Sequence, residues 1–267
     1  MLGLVSCPKM AHTNASLYST LAEIANAYPT EEVRAAEVKD VRRIAFHIDL
    51  VRQLAGPKAR VCDIGGGVGL FSVGCAAVGL AATLVDDFQD EVNREHGEAL
   101  LKVHRLHGVN IISTDVIANG LALPCESFDA ITSFHSIEHW HHSPKRLFRQ
   151  LLDALSPGGL FLVCAPNCVN LRKRISVPFG FGRWSPMSSW YEQPVFRGHV
   201  REPDTRDLRW IARDLDLTDV RIIGRNWLGH SSGRLSTRIA TSMFDRVLRP
   251  FPSLCSDIYL IGFKAHR

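Results

Sequence analysis

The stretch Val61-Cys62-Asp63-Ile64-Gly65-Gly66-Gly67-Val68-Gly69 restricts the fold more than any other part of the chain. A short apolar run that ends in an acidic residue and then a cluster of glycines reads as a buried strand, a tight loop and the start of a helix. Glycine tolerates positive φ and lets a ligand approach the main chain with no Cβ in the way, while the first N–H groups of the following helix face the same crevice. In an open parallel sheet such a loop lies at the carboxyl end of a strand, where ligands bind. The dinucleotide fingerprint G-x-G-x-x-G is not met, because Gly65, Gly67 and Gly69 run G-x-G-x-G, and the lysine of a P-loop is missing.

The rest of the chain repeats this strand-and-helix grammar. Val33, Val41, Ile44, Ile48 and Val51 recur at helical spacing, so 31–54 is expected to be an amphipathic helix stopped by Gly56-Pro57. Residues 1–30 are weakly patterned, with Tyr28-Pro29-Thr30 as a breaker. A second strand ends at Asp86, about 20 residues past the glycine loop, the distance at which an acidic side chain can accept both hydroxyls of a ribose. The third strand, 109–113, leads into Thr114-Asp115-Val116, and the fourth, 128–134, into His135-Ser136-Ile137-Glu138-His139-Trp140-His141-His142. Ser143-Pro144 is expected to start the next helix, Ser156-Pro157-Gly158-Gly159 to end it, and 160–165 to be a fifth strand. Strands at 220–224 and 258–264 complete the set.

In order and spacing, these motifs resemble the class I S-adenosylmethionine-dependent methyltransferases, and within them the ubiquinone-biosynthesis and glycan- and lipid-associated small-molecule group. The resemblance covers about 55–166 closely: Asp63 with the glycines is similar to motif I, Leu121-Ala122-Leu123-Pro124 with Phe128-Asp129 to the passage before the fourth strand, and Glu138-His139 to the element after it. It implies an α/β, Rossmann-like, doubly wound sheet of seven strands, mostly parallel with an antiparallel last strand, and lid insertions. It also implies a cofactor site for S-adenosyl-L-methionine made of Asp63, Gly65, Gly67, Gly69, Asp86, Asp115, Val116 and His135. The expected organisation is an N-terminal helical cap, 1–57, and a methyltransferase domain, 58–267, with an acceptor-side lid at about 168–202 and an insertion at about 226–256, both longer than simple connections.

Displacing a methyl group from a sulfonium is in-line chemistry, for which alignment can supply roughly 7–11 kcal/mol of the barrier. An oxygen acceptor must also lose its proton, and histidine is the commonest base. His139 is the first candidate and His199 the second; His141 and His142 are expected to face solvent. His135, Glu138, His139 and His199 are types that suit a divalent metal, and they resemble the Glu-x-x-Glu-His plus distal His site of small-RNA 3′-terminal methyltransferases, although His135 stands where that family has its first Glu. The expectation kept is a metal-free site that methylates an oxygen of a small-molecule, sugar or lipid-linked acceptor, with an RNA methyltransferase, metal-assisted at a terminal ribose hydroxyl, as the alternative.

Charge bears on the acceptor. The net +4 divides unevenly: 1–166 carry 14 Lys and Arg against 18 Asp and Glu, and 167–267 carry 17 against 9. The second half is therefore expected either to meet an anionic part of the acceptor or to present a solvated arginine surface. Leu235, Ile239, Met243, Val247 and Leu248 form a helical stripe among arginines, read as a covering or dimer-forming helix, with peripheral membrane contact as the rarer use. No apolar run is long enough to span a bilayer and residues 1–10 lack a secretory apolar region, so a cytoplasmic protein is expected. Seven cysteines without a C-x-x-C pair, several inside apolar runs, read as reduced core thiols.

Overall fold

The computed structural model describes residues 15–89, 91–182, 185–227, 230 and 234–266. The elements are α1 (Ala15–Asn26), α2 (Glu31–Ala55), β1 (Arg60–Ile64), α3 (Leu70–Ala77), β2 (Ala81–Asp86), α4 (Glu91–Leu106), β3 (Asn110–Ser113), α5 (Val116–Asn119), β4 (Phe128–Phe134), α6 (Lys145–Ala154), β5 (Leu155–Pro166), α7 (Leu171–Ser176), α8 (Met187–Tyr191), α9 (Thr205–Asp214), β6 (Thr218–Arg225), α10 (Leu235–Leu248) and β7 (Asp257–Phe263). The seven strands form one sheet in the order β3-β2-β1-β4-β5-β7-β6. β1 to β5 pair in parallel, and β7 runs antiparallel to both β5 and β6. The seven-stranded, mostly parallel sheet with a reversed last strand is the fold the sequence implies. Its strand order reverses between β1 and β4, which opens a crevice at their carboxyl ends.

Alternation along each strand feeds two cores. Val61 and Leu84 turn to the side covered by α1 to α4, while Cys62, Ile64, Val85 and Ile131 turn to the side covered by α5, α6 and α9. Asp63 shares the first face with Val61, so a carboxylate is buried under α3. α2 begins where expected, with the Thr30 hydroxyl accepting from the Val33 N–H, and α9 opens on a reciprocal capping box between Asp204 and Asp207.

Three elements differ from the sequence reading. The weakly patterned N-terminal stretch contains α1, whose Leu17, Leu21, Ile24 and Ala25 are buried at helical spacing against α2 and α3. The Pro-Gly-Gly run that was expected to end a helix lies inside β5, because Gly158 N–H donates to Lys264 O and Lys264 N–H to Gly159 O, and a register shift after Phe128 accommodates it. α6 starts at Lys145 with Pro144 in the cap position, one residue later than expected, and the Ser143 hydroxyl accepts from the Lys145 N–H.

The 226–256 insertion is pinned to the sheet by charge. Arg225, buried beneath the rings of Phe46 and Trp227, pairs with Asp245 of α10 at 3.1 Å, and Asp245 also accepts from Arg249 and from the Asn226 N–H. Asp245 is the buried residue of α10; the stripe of Leu235, Ile239, Met243 and Val247 is exposed and covers no core. Among the described residues no helix is long and apolar enough to cross a membrane. Cys62, Cys75, Cys164 and Cys255 are buried free thiols, as expected, whereas Cys7 lies outside the described residues. Removing one partner of a buried pair strands the other charge, so Asp245→Ala should lower unfolding stability by about 3–5 kcal/mol in urea titration.

Candidate functional site

The carboxyl ends of β1, β2, β3 and β4 meet around the glycine loop. Asp63 anchors it from beneath: its Oδ2 accepts from the Ser72 hydroxyl at 2.9 Å and its Oδ1 from the Thr132 hydroxyl at 3.0 Å, which ties β1 to α3 and β4. Burial pushes its carboxyl pKa up to about 7, against the two hydroxyl donors. Gly65 turns the chain at φ +69°, and a Cβ there would sit 1.9 Å from Ser136 Oγ, so the exits of β1 and β4 touch. Gly67, at φ +57°, points its N–H at Asp86 Oδ2, 2.9 Å away. Gly69 caps α3, and its carbonyl oxygen lies 3.1 Å from His104 Nε2. At the tips of β2 and β3, Thr114 N–H donates to Asp86 O, and Asp115 caps α5 by accepting from Ile117 and Ala118, with Val116 buried behind it. Gly65, Gly67, Gly69, Asp86 and Asp115 thus gather at one rim, with Asp63 and Val116 buried beneath it.

His135 is held elsewhere. At φ +52° its ring turns to Asp257 of β7, with Nε2 3.2 Å from Oδ1, and to the Cys164 sulfur at 3.6 Å. Burial opposes its charge, but Cys164, Asp257 and Glu138 outweigh that and hold its pKa well above the ordinary value. Its backbone stays on the rim, beside Ser136.

A second cluster stands next to this rim. Residues 137–139 form a single 3₁₀ turn, and the end of the lid closes over it: Val200 and Arg201 N–H both donate to Glu138 O. His139 Nδ1 donates to Arg197 O at 2.8 Å, and the rings of His139 and His199 meet edge to face at 4.9 Å. His199 Nδ1 lies 2.8 Å from Glu202 Oε1, and Glu202 is paired in turn with Lys173. Burial works against the Glu202 charge, yet His199 and Lys173 keep its pKa below the usual range. Glu138 is 0% exposed, and neither of its carboxylate oxygens accepts a hydrogen bond; the nearest charge, His135 Nδ1, is 3.6 Å away. One ligand atom each from Glu138, His139 and His199 lies within 4.8 Å of the others. His141 and His142 are exposed, as expected.

Residues 38–222 match the family described as "Methyltransferase domain". The chain belongs to this family. It is a class I methyltransferase with S-adenosylmethionine as its cofactor. A methyltransferase structure from Archaeoglobus fulgidus is 19% identical, with a TM-score of 0.51, covering 83% of this chain and 94% of that one. Phosphoethanolamine N-methyltransferase 2 from Haemonchus contortus, in complex with S-adenosyl-L-methionine, is 17% identical, with a TM-score of 0.53, covering 82% of this chain and 52% of that one. A Galdieria sulphuraria structure described as a sarcosine dimethylglycine methyltransferase reaches 0.55 at 12% identity over 94% and 99%. No curated protein matches the chain.

The glycine loop of this methyltransferase is also held by residues that the sequence reading passed over. Tyr28 is fully buried and its hydroxyl donates to Val68 O at 2.6 Å, while Glu37 accepts from the Leu70 N–H at 3.1 Å, so both clamp the glycine loop from behind. Burial raises the Glu37 pKa to about 7. Glu37 had a signal: it falls on the buried stripe between Val33 and Val41, where a carboxylate is out of place unless it has a task. Thr132 and Ser136 had none, since their roles come from the register of β4 against β1.

Two outcomes are expected. Unfolded, Asp63 and Glu37 release their protons near their ordinary values of 3.8 and 4.5; folded, both hold them to about 7. Within that window the folded chain binds more protons, so ligand-free stability should fall as pH rises from about 4 to about 7. Urea unfolding across that range should show the slope, and Asp63→Asn or Glu37→Gln should flatten it. Gly65→Ala forces a Cβ into Ser136, and calorimetry should record a loss of cofactor affinity of about tenfold or more, that is at least about 1.4 kcal/mol.

Proposed function

We propose that this methyltransferase moves the methyl group of S-adenosylmethionine to a hydroxyl oxygen of a small or lipid-linked acceptor, beside a divalent cation held by Glu138, His139 and His199. The buried carboxylate of Glu138 carries this reading. Its oxygens face the His135 ring at 3.6 Å but accept no hydrogen bond, and a bound cation would complete the surroundings of a buried carboxylate left short of partners. The two histidines fit the same use. Arg197 O can only accept, so His139 Nδ1 bears the proton and Nε2 keeps its lone pair; the Glu202 carboxylate fixes His199 in the same tautomer. An imidazole that donates its other N–H to a carbonyl or carboxylate is the usual metal-ligand arrangement.

One carboxylate oxygen and two imidazole nitrogens suit manganese, iron, cobalt or zinc better than calcium. When bound, the cation supplies Lewis acidity and lowers the pKa of a hydroxyl beside it. The chain's own residues do the rest. The glycine loop, supported from beneath by Asp63, faces the methionine end of the cofactor, and Asp86 at the tip of β2 is placed for the ribose. The new O–CH₃ bond forms as the S–CH₃ bond breaks, the hydroxyl proton leaves to water, and S-adenosylhomocysteine departs. A cation takes the place of the metal-free His139 base expected from the sequence, with His139 and His199 kept at the centre as ligands. Exposed Phe179, Phe181, Trp190 and Tyr191 on the lid offer an apolar part of the acceptor something to pack on.

Calorimetry with Mn²⁺ alone is expected to give one site, weakened about 10- to 100-fold by Glu138→Gln or His199→Ala. Chelation should stop turnover while leaving cofactor binding intact. A chelated enzyme that retains its rate, with Glu138→Gln also active and His139→Ala dead, would restore the metal-free base.

A further inference from the structure

The exposed apolar side chains of this protein are not scattered. Of the nineteen large hydrophobic residues that stand exposed among those described, fifteen lie in 175–200 and 235–251, the two insertions on the acceptor side. On α10, Leu235, Ile239, Met243 and Val247 recur every four residues and are 68%, 53%, 65% and 66% exposed. Single exposed apolar residues need no explanation, but a helix-long stripe does. Beside it, Arg42, Arg238, Arg246 and Arg249 border a groove of about 430 Å³ whose floor is Ile239 and Met243.

The two insertions are tied together at Ser253. Arg174 Nη2 of α7 donates to Ser253 O at 3.3 Å, and Asn167 Nδ2 to the same oxygen at 2.9 Å, which ties the start of the lid to the chain leaving α10 at Phe251. The lid continues through Phe179, Phe181, Met187, Trp190 and Tyr191 and ends at Phe196 and Arg197, whose carbonyls hold His141 and His139. The apolar, arginine-edged α10 is thus joined through Ser253 to a segment rich in exposed apolar residues, whose far end holds the Glu138, His139 and His199 cluster.

We propose that this surface docks on an anionic lipid bilayer, with the aliphatic and aromatic side chains entering the headgroup boundary and the arginines meeting lipid phosphates and carboxylates. Charge decides the occupant. Across 171–200 and 234–251 the acidic residues are Glu192 and Asp245, and Asp245 is buried, so a second copy of the chain would bring arginines against arginines in a two-fold interface. A polynucleotide would satisfy the arginines but leave Leu235, Ile239, Met243 and Val247 in water, since aliphatic side chains offer no ring on which a base stacks. A basic amphipathic helix with large apolar residues is the recognised form of an interfacial element. The docked orientation fits a hydroxyl-bearing lipid as acceptor, whose reactive oxygen sits at headgroup depth. That last step rests on the oxygen-acceptor reading above; membrane docking itself does not.

Vesicle co-sedimentation tests the surface without cofactor, metal or acceptor. The full chain should pellet with phosphatidylcholine vesicles containing about 30% phosphatidylserine, and bind about tenfold or more weakly to pure phosphatidylcholine, or when salt rises from about 0.1 M to about 0.5 M. Met243→Asp with Ile239→Asp, and separately Arg238→Glu with Arg246→Glu, should each lower vesicle affinity by about tenfold or more while the melting temperature and calorimetric cofactor binding stay unchanged. No binding to anionic vesicles, or binding that both double variants retain, overturns the proposal. So does a dimer in sedimentation velocity that the Met243→Asp, Ile239→Asp variant dissociates, since the surface would then be covered by its own copy. Vesicle binding with no effect of chelation or Glu138→Gln on turnover would leave docking standing and sink only the cation.

Discussion

The site depends on one buried carboxylate. Asp63 is where a strand, a helix and a neighbouring strand converge, and its two oxygens are bridged by Ser72 and Thr132 in a place that water does not reach. A low-dielectric surrounding strengthens each of those hydrogen bonds and makes a missing one costly. The glycine loop can therefore hold one left-handed path at Gly65 and Gly67, because what lies under it is rigid. From that hinge the geometry spreads outward: Gly67 reaches Asp86, Asp86 O receives Thr114, and Asp115 follows. Four strand tips are positioned by one connected set of polar contacts.

The cluster of Glu138, His139 and His199 is built on a different physical basis. There the positioning comes from backbone carbonyls of the lid gripping side chains of the 3₁₀ turn, and from amides of the lid gripping the turn in return. His139 is oriented by a carbonyl 58 residues away in sequence, and His199 by its neighbour Glu202, which Lys173 of α7 holds in turn. A divided support of this kind lets one fold keep its cofactor chemistry constant while the acceptor chemistry varies with the lid.

Much of this was legible in the residues because the signals are local. A glycine run after an apolar strand needs only its own turn chemistry to be read, and the aspartates at the strand tips follow at spacings that the alternation of strands and helices sets. The strands followed from the same grammar, while the reversed β7 followed from the resemblance to class I methyltransferases. What stayed hidden is long-range. Ser136 matters because the exit of β4 abuts Gly65, and Tyr28 matters because α1 brings it to Val68; neither has a local pattern. His135 was placed on the cofactor by its position after β4, whereas its ring answers to Asp257 at the start of β7, two strands away in the sheet. For α10, the four-residue period revealed a helix but not what its apolar stripe faces, since periodicity reports that one side differs from the other and says nothing of what covers it.

The clamp formed by Tyr28 and Glu37 has a mechanical consequence. One grips the loop just before α3 and the other caps the first turn of that helix, and both arrive from segments that precede the first strand. The glycine hairpin and the two leading helices are in this sense one part, like a latch and its spring. The smallest piece of this chain that could keep the nucleoside cradle intact must begin upstream of Tyr28, so trimming to the sheet and its connecting helices would preserve the wall pattern of the fold and lose the fitting that shapes it.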